Sequence, residues 1–264
     1  MTPASENAVV TKTSGRVRLI GLNRPAVINA VNDAIRSGLR TAVLEAEADD
    51  DVLAILFHGY GKRGFCAGAD IKETRAPETP IETRLRLDAG GWIETLAAAR
   101  KPTVAAIHGI CLGAGAEIAL ACDLRIAAPD AIFGLPETGI GLIPGAGGTQ
   151  RLPRLVGEGL AMHLILTGEH VSAERASHIG LVSVVSATVD SLLDEALALA
   201  TRIAERPPTA TRFAKEAVRA AGNLPLADGL VVERTLFALL NDTEDRREAA
   251  RAFSQKRAPR YVGR

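Results

Sequence analysis

Aromatic residues are scarce in this chain, 3% of 264 residues with a single tryptophan. A core with so few rings has to be filled by alanine and branched aliphatic side chains, which favours closely packed helices and thin strands. Cysteine is nearly absent too. Cys66, Cys111 and Cys122 are odd in number and follow no repeated spacing. That argues against a disulfide framework and fits buried, reduced thiols. Net charge is missing as well, with 31 basic against 31 acidic residues. No overall field draws the protein toward nucleic acid or an anionic membrane. No apolar run reaches membrane-spanning length, and the opening Met1-Thr2-Pro3-Ala4-Ser5-Glu6 carries no basic-then-apolar leader. The expectation is a cytoplasmic protein without a membrane or nucleic-acid partner. The local basic cluster of Arg246, Arg247, Arg251, Lys256, Arg257, Arg260 and Arg264 reads, on charge alone, as a solvated helix face.

Several familiar chemistries fail on spacing. Gly113-x-Gly115 continues to Ile118, and Gly145-x-Gly147 continues to Gln150, so neither completes a dinucleotide fingerprint. Gly147-Gly148-Thr149 lacks the lysine of a phosphate-binding loop, and no Gly-x-Ser-x-Gly elbow occurs. His58, His108, His163, His170 and His178 form no ligand spacing with the cysteines, and no metal is expected. Cys66 has no activating base near it in sequence and reads as a small buried thiol.

The first half alternates strand-like and helix-like stretches. Strands are expected at Val17 to Leu22, Val52 to Phe57, Thr103 to His108, Leu124 to Ala127, Ala131 to Leu135 and Leu181 to Val185. A helix capped by Asn32 or Asp33 should reach about Glu47, with Ile35, Leu39 and Val43 on one face. Ile71 to Asp88 is polar and broken by Pro77 and Pro80, an ordinary loop or a mobile lid, and a helix follows from about Leu85 to Ala99. From Ser191 onward the pattern is helical, with breaks at Pro207-Pro208 and near Gly222 to Pro225. Leu226, Leu230, Phe237 and Leu240 give the penultimate helix an apolar stripe. The reading is an α/β core, residues 1–200, with an all-helical extension, residues 201–264.

Two glycine-flanked glutamates carry the chemistry. Gly113-Ala114-Gly115-Ala116-Glu117 reads as the start of a helix, and Leu135-Pro136-Glu137 leads toward Gly145-Ala146-Gly147-Gly148. An amide in a first helical turn has no intrahelical partner, and the helix dipole adds positive charge there. The Ala114 amide would therefore favour an oxyanion, with Glu117 one turn away on nearly the same face. Glu137 supplies a second acid for proton transfer.

At these residues the chain resembles the crotonase superfamily, the enoyl-CoA hydratase/isomerase fold. The resemblance also runs through Leu22-Asn23-Arg24-Pro25 with Asn29-Ala30, Phe65-Cys66-Ala67-Gly68-Ala69-Asp70-Ile71-Lys72-Glu73, Lys101 to Gly109, Ile143 to Leu152, and Asp245-Arg246-Arg247-Glu248. It implies an α/β crotonase-like spiral of β-β-α turns closed by a C-terminal all-helical trimerisation extension, giving a homotrimer or a hexamer made as a dimer of trimers. It implies an oxyanion hole from the amides of Ala67 and Ala114, alanine replacing the common glycine at 114. It places Ala67, Gly68, Ala69, Asp70 and Ile71 along the coenzyme A path, with Phe237, Phe253 and Lys256 of the tail near coenzyme A, partly across a subunit interface.

Within that family, two glutamates twenty residues apart match the hydratase pattern. The implied activity is syn addition of water to 2-trans-enoyl-CoA thioesters, giving 3-hydroxyacyl-CoA, with catalytic Glu117 and Glu137. No cofactor is implied, coenzyme A being part of the acyl-CoA substrate. A 3,2-enoyl-CoA isomerase, a specialised acyl-CoA dehydratase and a non-catalytic acyl-CoA- or RNA-binding relative are the alternatives. Fatty-acid β-oxidation, amino-acid degradation and aromatic degradation stay open as pathways.

Overall fold

A computed structural model describes residues 7–73 and 76–264. The opening residues 1–6 and residues 74–75 of the expected loop or lid lie outside the described residues. The chain begins with β1 (Val9–Ser14), β2 (Val17–Leu22), α1 (Asp33–Ala48) and β3 (Ala54–Gly59). Next come α2 (Pro80–Gly90), α3 (Trp92–Ala97), β4 (Thr103–Ile107), β5 (Ile110–Leu112), α4 (Ala114–Ala121), β6 (Leu124–Ala127) and β7 (Ile132–Gly134). After the glycine loop follow α5 (Gly148–Val156), α6 (Glu158–Thr167), β8 (Val171–Ser172), α7 (Ala173–His178), β9 (Val184–Val185) and α8 (Leu192–Ala204). The last helices are α9 (Pro208–Ala221), α10 (Leu226–Leu240) and α11 (Glu244–Ser254).

The larger sheet has the order β1-β2-β3-β4-β6-β9, with β1 antiparallel and the remaining neighbours parallel. A smaller sheet, β5-β7-β8, stands beside it. Two successive turns of the chain, β4-β5-α4 and β6-β7-α5, each lay one strand in each sheet and then a helix. That is the crotonase-like α/β spiral. Side chains alternate across the larger sheet as its pleat requires. Ile55, Phe57, Ala105 and Ile107 face one core with α1, α3 and α4. Ala54, Leu56, Val104 and Ala106 face a second core closed by Leu192, Ala196, Ala200 and Ala204 of α8. The expected boundary at residue 200 falls inside α8, and the chain leaves this core at Pro207-Pro208.

The segment expected as a loop or lid contains α2. Pro80 sits in its first turn, where a missing N–H costs nothing. Thr79 accepts from the Glu82 amide while the Glu82 side chain accepts from the Thr79 amide, a reciprocal cap that replaces apolar periodicity as the organising signal. The single helix expected over 85–99 is divided at Gly91, whose φ of +44° ends α2 and starts α3.

Polar side chains fix the layers that carry the site. Asn29 is buried; its Nδ2 donates to the carbonyls of Tyr60, Gly64 and Phe65. Arg24 donates to Asp70 at 2.9 Å. Arg125, buried behind α4, donates to the carbonyls of Ala119 and Cys122 and satisfies the helix's C-terminal end. Asp123 accepts from the amide and hydroxyl of Thr103 and from Lys215 and Arg219 of α9, tying β4, α4 and α9 together. Among the described residues, no helix is long and apolar enough to cross a membrane.

Candidate active site

The stretches Cys66 to Ala69 and Leu112 to Gly115 run side by side. The Leu112 amide donates to Cys66 O, and Cys66 N donates to Ile110 O. Gly115 is required here, since a Cβ would collide with the Cys66 carbonyl, while a Cβ on Gly68 would lie 3.2 Å from Leu112 O. Gly113 turns the chain into α4 with φ +50° and ψ −126°, a conformation reserved for glycine. Ala114 then occupies the first helical position, and among the described residues its amide donates no hydrogen bond.

The second amide differs from the one expected. Ala67 N donates to Ile28 O at 2.9 Å, so this N–H is consumed by the fold and is not available to an oxyanion. Two residues on, Gly68 O accepts from Val31 and Asp70 N donates to Val31 O, which leaves the exposed Ala69 with an undonated amide among the described residues. Ala69 therefore replaces Ala67 as the candidate partner of Ala114. The period-two pattern of bonds around Val31 holds the information, but Val31 lies 38 positions before Ala69 (69 − 31) and is invisible in the local motif.

Both glutamates reach this place. Glu117 is buried on α4. Its Oε1 accepts from Ala146 N at 2.7 Å and Gly148 N at 2.8 Å, at the N-terminus of α5. Burial pushes its pKa up, the two amides pull it down, and the nearby Glu137 and Arg151 charges add opposing effects. Glu137 begins a short 3₁₀ turn, Glu137–Ile140, and a Cβ on Gly113 would lie 3.1 Å from its Oε1. Its Oε2 is buried without a hydrogen-bond partner. Burial raises the Glu137 pKa, with only its own backbone amide opposing. Two carboxyls and two unpaired peptide N–H groups thus share one region, a centre suited to moving protons beside a carbonyl that becomes an oxyanion.

The remaining expected residues divide. Asp70 is engaged by Arg24, which holds its carboxyl below the usual range, and it accepts from Lys72 N; these contacts anchor the loop. Ile71 is exposed on the same loop. Phe237 and Phe253 lie on α10 and α11, exposed by 69% and 88%, outside both core clusters. Lys256 stands just past α11 at φ +52°, a left-handed backbone uncommon for a side-chain-bearing residue. Within one chain the structure groups none of these three with the glutamates.

The enoyl-CoA hydratase/isomerase family model matches residues 12–264. The 2,3-dehydroadipyl-CoA hydratase of Escherichia coli is 44% identical over 259 residues, covering 97% of this chain and 99% of that protein. The short-chain-enoyl-CoA hydratase of Clostridium acetobutylicum is 37% identical over 251 residues, covering 95% and 96%. A crystal structure of enoyl-CoA hydratase from Bacillus anthracis superposes with a TM-score of 0.91 at 38% identity, covering 97% of this chain and all of the other. The chain belongs to the enoyl-CoA hydratase/isomerase family.

Proposed function

We propose that this protein is an enoyl-CoA hydratase that adds water across the double bond of 2-trans-enoyl-CoA thioesters. The observation that carries this reading is the pairing of Glu117 and Glu137 beside the undonated amides of Ala69 and Ala114. The amides hold the thioester oxygen as the enolate forms. Glu117, gripped by two N–H groups at a helix N-terminus, is the better anion. It takes a proton from water as the water oxygen bonds to the β-carbon. Glu137, buried with an unpartnered oxygen, is the better acid, and its proton goes to the α-carbon. Both groups act from one face, giving syn addition. Proton return from Glu117 to Glu137 through water restores the starting state, and one water is consumed. Coenzyme A enters with the substrate, and no separate cofactor takes part.

The oligomer we propose is a trimer, alone or as a dimer of trimers. Leu226 and Phe237 on α10 and Phe253 on α11 form apolar surface that this chain leaves exposed, more than a solitary subunit keeps without cause. A neighbouring copy covers it, and Phe253 and Lys256 reach coenzyme A there, Lys256 meeting its phosphate.

Crotonyl-CoA in deuterated, ¹⁸O-enriched water tests the reaction. The expected product is 3-hydroxybutyryl-CoA with ¹⁸O on carbon 3 and one deuterium on carbon 2. Conversion of a 3-enoyl-CoA to the 2-enoyl isomer, without hydration of crotonyl-CoA, would instead establish an isomerase.

A further inference from the structure

We propose that Arg151 is a positioning residue for Glu117: its guanidinium locks the peptide between the two amides that grip this carboxylate and sets a positive charge beside it. The proposal rests on the hydratase reading of Glu117. Arg151 lies in the first turns of α5 and donates from Nη1 to Ala146 O at 2.8 Å. That carbonyl belongs to the Ala146–Gly147 peptide. The peptides on either side supply Ala146 N and Gly148 N, the two donors to Glu117 Oε1.

The amides of Gln150 and Arg151 hold the Gly147 carbonyl, and the Arg151 side chain holds the Ala146 carbonyl before it. Gly147 takes φ +100°, and a Cβ there would collide with the Arg151 guanidinium, so the loop's shape and the arginine's position depend on each other. Gly148 is equally constrained, since a Cβ would lie 3.1 Å from Glu117 Oε1. Rotation of the Ala146–Gly147 peptide would swing both donors off the carboxylate.

The charges around the pair are few. Arg151 faces Glu117 from α4, Glu94 from α3 and Arg219 from α9, with the Cys122 thiol also nearby. Helix α6 packs on α5 as well, but its His163 is turned to Glu169. Arg219 is itself engaged by Asp123. Among the described residues, the charged groups that act most on Glu117 are Glu137 and Arg151. The guanidinium is thus the cation opposing the Glu137 carboxyl at Glu117.

Arg151→Gln, Arg151→Met and Arg151→Lys, made in the full chain, test the assignment. With crotonyl-CoA, Gln and Met are expected to lower kcat by up to about 100-fold, the scale of a misplaced catalytic group. KM should stay within about twofold of the parent, because binding groups are untouched. The acid limb of the kcat profile should move up by about one pH unit, and Lys should restore its position. Infrared titration of the Glu117 carboxyl, identified by difference against Glu117→Gln, should show the same upward displacement without reference to any substrate. Unmoved titration and pH limb in the Gln and Met variants, whatever their kcat, would overturn the proposal and leave Arg151 a brace of the loop. Absence of hydration by the parent enzyme, with the infrared displacement intact, would sink the hydratase reading instead.

Discussion

The spiral core and the C-terminal extension solve the burial problem in different ways. In the core, the inner strands β2, β3, β4 and β6 of the larger sheet divide their residues between two closed apolar layers, and α8 seals the second with Leu192 and three alanines. In the extension, α10 buries Leu236 alone, while Leu226 at 78% and Phe237 at 69% remain exposed. The helical stripe expected from sequence exists, but this chain does not cover it. Polar contacts show the same contrast. The core uses Asn29, Arg125 and Asp123 to satisfy buried backbone, whereas α11 is held mainly by its own C-terminal segment. Asp245 accepts from the amides of Val262 and Gly263. Glu248 accepts from Arg257 and the Arg260 amide, which bring its pKa down to about 2. The core closes its apolar layers within one chain, whereas the extension leaves Leu226, Phe237 and Phe253 exposed.

The sharpest break between the regions is at the paired acids. Glu117→Gln and Glu137→Gln should each lower kcat for crotonyl-CoA hydration by about 1,000-fold or more, since general acid–base groups contribute 10²–10⁴-fold. Far-ultraviolet circular dichroism should remain that of the parent. The same variants bear on stability. Both carboxyls have raised pKa values in the fold, so their contribution to stability is intact below the unfolded pKa and is lost as pH rises through the folded one. Neutral glutamine removes that loss, and Glu137→Gln should have a Tm at pH 7 no lower than the parent. Near-parental turnover in either variant would refute the paired mechanism.

Next in size is the choice of amides within the core. Replacing the peptide N–H by an ester oxygen at residue 69 or 114 should cut kcat by about 100-fold, near 3 kcal/mol of transition-state stabilisation. The same replacement at residue 67 should chiefly lower Tm, through the lost bond to Ile28. Equal kinetic losses at 67 and 69 would erase the distinction drawn between them.

The smallest expected effects lie in the extension. Lys256→Ala should raise KM for the coenzyme A thioester several-fold with kcat nearly unchanged, as for an exposed charge contact. Phe237→Ser should weaken the oligomer, measured by light scattering across concentration. A parent protein that stays monomeric at high concentration would remove the distinction between a self-sufficient core and a neighbour-dependent tail.

Local signals made much of this legible. Short apolar runs such as β3 and β4, buried along their length, the Asn32 cap of α1, which accepts from Ile35 N, and the glycines before α4 state their structure within a few residues. So do the glutamates, because one helical turn fixes Glu117 relative to Ala114. Helix α2 was within reach through Thr79-Pro80-Ile81-Glu82, but its prolines read more strongly as breakers. Short strands such as β5 and β8 carry too few residues to declare a period, and they exist because neighbouring backbone offers them partners.

The order of residues alone determined that two acids would lie near glycine-bared backbone and that the tail would present an apolar stripe, because both depend on spacing along a helix. Tertiary structure decided which amides stay open, since Ala67 loses its N–H to Ile28 and Ala69 does not. It also decided what surrounds each carboxyl, Glu117 receiving a helix N-terminus and Arg151 while Glu137 receives a buried, unpartnered oxygen. Hydrogen-bond occupancy and burial depend on chain segments far apart in sequence, and only their packing can assign them.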